Sequence, residues 1–159
     1  GLLRRHGEVA KAIELVNILN LMQIPKDEML SASIIDLHGK NSSLSSAVEV
    51  FQQAPVRTVV LYEAIMRACI ETGEYEHGRK YFTEMLSKNI EPRKHTYLLG
   101  LKLARETEDM ELQSYLSRGI AVLVEDAKTP ARRAQVVSKA SRMVFHDGIG
   151  ANKMLNIGS

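Results

Sequence analysis

Three basic side chains are spaced along the sequence so that they could hold phosphate groups. Lys102 and Arg105 follow Leu98 at i+4 and i+7. Arg67 follows Glu63 at i+4. If these segments are helical, each set lies on one helix face. A solvated helix face has the same composition, so phosphate binding and plain solvation both stay open as interpretations.

A second basic cluster lies near the carboxyl end, in a stretch that has no acidic residue between Asp126 and Asp147. Positive charge of this density attracts RNA or an acidic protein, and a solubilising helix face is the alternative. The basic residues named for this cluster are Arg132, Arg133, Lys139 and Arg142.

Motifs of catalysis are absent from the sequence. It has no glycine loop that cradles phosphate, no Gly-x-Ser-x-Gly, and no His-x-Glu combined with Cys-x-x-Cys. Asp36 and Asp109 stand far apart, and no histidine is followed by another at i+3 or i+4 as a helical metal site requires. We therefore predict that the chain is not an enzyme and binds no metal or cofactor.

Helical periodicity runs through most of the sequence. Val9, Ala12, Ile13 and Val16 follow the i, i+3, i+4, i+7 pattern of one buried face, which predicts a first helix over about 8–22. No sustained period-2 alternation indicates a sheet. The prolines at 25, 55, 92 and 130 fall where one helix would end and another begin. Later helices are predicted to start near Met29, Leu44, Leu61, Glu74, Tyr97, Met110 and Ala131.

The composition is that of an ordinary globular protein, with 45% hydrophobic and 25% charged residues. No apolar run approaches the roughly 18 residues that a membrane span needs. The net charge of +2 favours anionic partners only weakly. The sequence opens at Gly1 without an initiator Met, and we expect a processed or truncated chain.

Two successive segments place similar residues at equivalent positions in one register. Phe51 falls beside Phe82, and Ile34 falls beside Ile65. The second segment resembles a pentatricopeptide repeat through Val59-Val60-Leu61-Tyr62, Thr72-Gly73, Tyr81-Phe82-Thr83-Glu84-Met85 and Asn89-Ile90-Glu91-Pro92. The first is similar to the short variant of that repeat through Ile35-Asp36-Leu37-His38-Gly39-Lys40, Leu44, Ala47, Val50-Phe51 and Pro55-Val56-Arg57.

The resemblance implies an all-α right-handed solenoid of helix-turn-helix repeats, with about 35 residues per repeat. We expect a C-terminal capping helix, because the last unit of a solenoid must cover its apolar face. The expected division is into repeats over 1–127, with a basic helix and tail over 128–159. Within the first part the units are a partial repeat at 7–27, repeats at 28–58 and 59–93, and a degenerate one at 94–127.

The resemblance also implies which positions face RNA. Family members read about one base per repeat with a residue early in the first helix and the last residue of the unit. These positions are Ala32 with Thr58, Glu63 with Arg93, and Leu98 without an assigned partner. None is a usual base-reading pair, and the side chains of Ala32 and Leu98 cannot form hydrogen bonds.

Two tyrosines and the single cysteine allow a functional or a structural interpretation. Tyr62 and Tyr97 occupy equivalent places in their units and could stack on bases. Their position one residue before the base-reading site favours packing between helices instead. Cys69 lies on an apolar stripe with Ile65, which favours a small buried residue over a nucleophile.

The resemblance implies a function and a subcellular localisation. The first interpretation is an RNA-binding segment of a mitochondrial or plastid protein that grips single-stranded RNA through its backbone, using Arg67, Arg93, Lys102 and Arg105. The alternative is a structural scaffold that makes protein contacts within a large organellar assembly such as a mitochondrial ribosome. Both interpretations fit the residues discussed so far.

Overall fold

The protein forms seven α-helices within residues 2–126, the part of the chain that this computed structural model describes. No strand occurs among these residues, which confirms the predicted all-α class. The capping helix and basic tail expected at 128–159 lie outside the described residues. The helices are α1 (Leu2–Leu21), α2 (Glu28–Lys40), α3 (Leu44–Gln53), α4 (Val59–Glu71), α5 (Tyr75–Ser87), α6 (Lys94–Glu106) and α7 (Met110–Asp126).

The predicted helix starts agree with the structure for α2 to α7. Two of these helices begin at the predicted residues, Leu44 and Met110, and α6 begins at Lys94, slightly before the predicted Tyr97. The prediction was wrong for α1, which begins at Leu2 rather than near Glu8. Leucine and arginine are good helix formers, and one interior glycine costs only about 1 kcal/mol, which does not stop a helix.

The described helices fall into two compact units that divide within α5, between Gly78 and Arg79. In the first unit α2 is the central element, since it packs on α1, α3 and α4. The ring of Phe51 on α3 meets the ring of Tyr62 on α4 edge to face, with centroids 5.1 Å apart. Both side chains are fully buried, so α3 and α4 share a core.

Helices α2 and α4 are in close contact at Gly39 and Ala68. A Cβ atom placed on Gly39 would lie 2.8 Å from the Cα atom of Ala68 and 2.9 Å from its Cβ atom. Carbon atoms pack at about 3.5–4.0 Å, so only glycine fits there. This close backbone contact brings the polar residues one turn earlier on α2 within reach of α4.

The second unit is built around α6, which packs on α7. Gly100 lies against the ring of Phe82, where a Cβ atom would come within 2.7 Å of a ring carbon. Phe82, Leu103 and Leu116 are fully buried. Because these contacts cover one side of α6, its other side remains exposed to solvent.

One type of turn ends helix after helix. The backbone N–H of Ser42 donates to the carbonyl of Gly39, and that of Ser43 donates to the carbonyl of His38. This Schellman arrangement requires a positive φ at the residue after the C-cap, where glycine fits without strain. Among the described residues the positive φ angles occur at Gln23, Ser42, Gly73, Asn89 and Glu108.

Gly39→Ala should destabilise the protein by about 1–3 kcal/mol, because the added methyl overlaps the backbone of α4. Gly7→Ala is the matched control, since Gly7 lies in α1 with no atom within 4 Å of its would-be Cβ. That control should stabilise by about 0.5–1 kcal/mol through helix propensity. Urea unfolding followed by circular dichroism measures both, and equal effects of the two variants would contradict the close α2–α4 contact.

Gly73→Ala tests the turn that follows α4. Gly73 has φ of +76° and open space around its would-be Cβ, so its replacement changes backbone strain and no packing. We expect a loss of about 1 kcal/mol, the cost of a left-handed conformation in a residue with a Cβ. The same urea experiment applies, and a gain in stability like that of Gly7→Ala would show that the turn is not held in this conformation.

Candidate nucleic-acid interface

The exposed side of α6 carries the predicted basic residues of the second unit. Leu98, Lys102 and Arg105 are all exposed on this helix. Among the described residues, the side chains of Lys102 and Arg105 make no hydrogen bond or ion pair. Their positive charges are therefore available to a ligand that approaches α6 from solvent.

The residue before α6 is also exposed and basic. Arg93 is the N-cap, and its backbone N–H donates to Oγ1 of Thr96 at 2.9 Å. This hydrogen bond fixes the first turn of α6, as the returning half of a capping box does. Arg93 thus stands at the amino-terminal end of the helix that carries Lys102 and Arg105.

The predicted basic residue of the first unit is engaged within the protein. The guanidinium of Arg67 on α4 donates to the carboxylate of Asp36 on α2 through two hydrogen bonds, Nε to Oδ1 at 3.0 Å and Nη2 to Oδ2 at 2.9 Å. The side chains of Arg67 and Asp36 are 35% and 30% exposed. Two parallel hydrogen bonds to a carboxylate are the strongest geometry available to arginine.

The predicted base-reading positions of the first unit have different surroundings. Ala32 on α2 is 5% exposed and Glu63 on α4 is 3% exposed, so both lie inside the unit. Thr58 precedes α4, and its hydroxyl donates to Oε1 of Glu28 at 2.7 Å. Glu63 and its predicted partner Arg93 belong to different units, so that pairing remains a prediction, and Leu98 has no assigned partner. Arg132 and Arg133 lie outside the described residues.

The two tyrosines and the cysteine are buried. Tyr62 and Tyr97 are 0% and 2% exposed, which confirms the packing interpretation. Burial, with smaller contributions from Tyr115 and Glu91, raises the pKa of Tyr97 to about 12. Neither ring can stack on a base from these positions.

Two ion pairs were missed from the sequence, where neither Asp36 nor Asp109 was assigned a charged partner. Besides Asp36 with Arg67, Arg79 of α5 donates from Nη1 to Oδ2 of Asp109 at 3.3 Å. The partners are 31 and 30 residues apart, close to one repeat length. Opposite charges one repeat apart are therefore the sequence signal that could have found both pairs.

Asp109 has a second structural role at the start of α7. Its Oδ1 accepts a hydrogen bond from the backbone N–H of Leu112 at 3.1 Å. A carboxylate in this position caps the helix and interacts favourably with its dipole. The Asp109 side chain is 8% exposed, so it serves the fold and is not available to a ligand.

No group of three or more metal-binding side chains occurs among the described residues. Within the same part of the chain, no helix combines the length and apolar character needed to cross a membrane.

The comparison with protein families identifies one of these helix pairs. The family model described as PPR repeat matches residues 60–90, which cover α5 and all of α4 except Val59. Residues 60–90 are a pentatricopeptide repeat. This match confirms the resemblance that the sequence predicted from Val59 to Pro92.

Relatives of the chain carry the same repeat in their names. Pentatricopeptide repeat-containing proteins of Arabidopsis thaliana include two that are named chloroplastic, 30% and 28% identical over 59% and 55% of this chain. A third is named mitochondrial and is 27% identical over 59% of the chain. The aligned residues span only 11–15% of the length of these relatives. No solved structure matches the chain significantly.

The buried thiol gives a test of the first unit's packing. Burial, and to a smaller extent the Glu74 carboxylate, raises the pKa of Cys69 to about 12, so the thiol stays protonated at pH 8. Only the thiolate reacts with disulfide reagents, so we expect the folded chain to react at least a hundredfold more slowly than the chain in denaturant. A colorimetric thiol assay measures both rates on the single cysteine, and similar rates would contradict a buried Cys69.

Proposed function

We propose that this chain is an RNA-binding helical-repeat segment of an organellar protein, and that it grips single-stranded RNA mainly through the phosphate backbone. The observation that carries the proposal is the exposed face of α6, where Lys102 and Arg105 point to solvent without partners among the described residues. Arg93, exposed before the same helix, adds a third positive charge. Phosphate contacts of this kind position a strand and carry no sequence information.

Little base discrimination follows from the residues at the base-reading positions. Ala32 and Leu98 have no hydrogen-bonding side chain, and Glu63 is buried. A bound base would therefore find no polar group from Ala32 or Leu98 to distinguish its edge. The residues at these positions therefore support binding to the RNA backbone rather than recognition of a particular RNA sequence.

Organellar localisation is supported by the names of the relatives, which include chloroplastic and mitochondrial proteins. The proposed role is binding without catalysis. It rests on the pentatricopeptide repeat at 60–90 and on the exposed basic face, neither of which supplies a reacting group.

A protein-binding scaffold is the second candidate, and the surface of α1 favours it. Leu15, Ile18 and Leu21 of this helix are 56%, 45% and 84% exposed, and Met22 just after it is 66% exposed. Exposed apolar side chains that lie together mark surfaces of protein contact. The scaffold and RNA-binding functions differ in their dependence on salt, because only backbone binding releases counterions in proportion to the phosphates neutralised.

Lys102→Ala with Arg105→Ala should weaken RNA binding and flatten its salt dependence. Each phosphate contact on a single strand contributes about 0.7 to the slope of log affinity against log salt, so the pair should remove about 1.4. The loss should be similar for oligo(U) and oligo(A), because backbone contacts do not distinguish bases. Fluorescence anisotropy over a series of KCl concentrations measures the slope.

The matched control removes the same charge from two exposed positions on another helix, through Arg5→Ala with Lys11→Ala on α1. It should leave the slope within a few tenths of the parent's. If the parent chain binds neither RNA near physiological salt, or if both double variants lose the same slope, the RNA-binding function is wrong and the scaffold function is favoured.

A further inference from the structure

The ion pair between Asp36 and Arg67 occupies a position that recurs in the repeats. Asp36 lies four residues after Ala32, Arg67 four residues after Glu63, and Lys102 four residues after Leu98. The three positions are thus equivalent along α2, α4 and α6. At this position the first unit holds a carboxylate and a guanidinium, whereas the second unit holds a lysine.

The geometry leaves Arg67 poorly suited to bind phosphate as it stands. Two of its N–H groups donate to the Asp36 carboxylate at 2.9 and 3.0 Å, in the fork geometry that a phosphate would otherwise use. The carboxylate also repels an approaching phosphate at short range. A cation already neutralised by a protein carboxylate releases no counterion from RNA when it binds, so it adds little to affinity.

The pair is nevertheless open to solvent, with side chains 35% and 30% exposed. Surface ion pairs are weakly held, because water and salt screen them and two side chains must be ordered. Removing the carboxylate charge would leave Arg67 in place on α4, half-exposed and without its neutralising partner. Its guanidinium would then resemble Lys102 in charge and in position along the helix.

We propose that Asp36 withholds Arg67 from RNA, so that the backbone is gripped on α6 and not on α4. Asp36 is therefore a positioning residue, which acts on RNA only through the arginine it neutralises. The inference rests on the proposed RNA-binding function, and it names which of the predicted basic residues carries that function. The inference attributes the difference in RNA binding between α4 and α6 to a single carboxylate rather than to the repeat fold.

Asp36→Asn keeps the shape of the side chain and removes its charge. We expect binding to single-stranded oligo(U) at 0.15 M KCl to become about fourfold tighter, and the salt slope to steepen by about 0.7, the value of one added phosphate contact. Adding Arg67→Gln to this variant should return both quantities to those of the parent. The measurement is anisotropy with the full 159-residue chain.

Glu49→Gln is the matched control, since it removes one negative charge from an exposed position on α3 in the same unit. It should not steepen the slope by 0.7, because no arginine becomes available to phosphate. Arg67→Gln alone should leave the parent's slope unchanged. If circular dichroism shows that Asp36→Asn does not fold, the salt slope of Arg67→Gln alone still tests whether Arg67 of the parent contacts RNA.

The outcomes separate this inference from the function on which it rests. If the parent binds RNA and the folded Asp36→Asn variant binds no better, or if Arg67→Gln alone lowers the slope by about 0.7, the role of Asp36 is overturned and RNA binding stands. If only Asp36→Asn binds, the role of Asp36 is supported and the parent's RNA binding fails. If neither binds RNA, both proposals fail.

Discussion

The contact on which the rest of the first unit depends is the close approach of α2 and α4. With no side chain at Gly39, the backbone of α2 lies directly against Ala68, and a methyl group there would overlap α4. A single helix pair cannot bury its apolar face, so each repeat needs its neighbour to complete a core. The edge-to-face contact of Phe51 with Tyr62 contributes to such a shared core, since the two rings come from successive helices, α3 and α4.

The same approach creates the electrostatic pattern of the surface. Once α2 and α4 are in contact, Asp36 and Arg67 lie within hydrogen-bond distance at the same position along the two helices. Whether a charged side chain is available to a ligand therefore depends on residues of the neighbouring helix, in addition to its neighbours on the same helix. In α6 the equivalent Lys102 has no such partner among the described residues, and our proposal of an RNA-binding face on α6 rests on that difference.

Much of the fold was predictable because it depends on local signals. Apolar spacing gave the helical class, and the starts at Leu44 and Met110 agree with the polar residues that precede them. The start of α1 was not predicted, because no proline or capping residue marks its boundary and Gly7 alone is too weak a signal. The turns at Ser42 and Glu108 were also hidden, since these residues adopt a positive φ that glycine usually supplies.

The sequence by itself determined the helices, the repeat at 60–90 and the supply of basic side chains, since each depends on residue types at fixed spacing along one segment. Only the tertiary structure decided which charges remain available. Glu63 and Arg67 share one helix at i+4, yet one is buried and the other is held by Asp36. Burial and pairing depend on what a neighbouring helix presents, and spacing within a single helix contains no information about that neighbour.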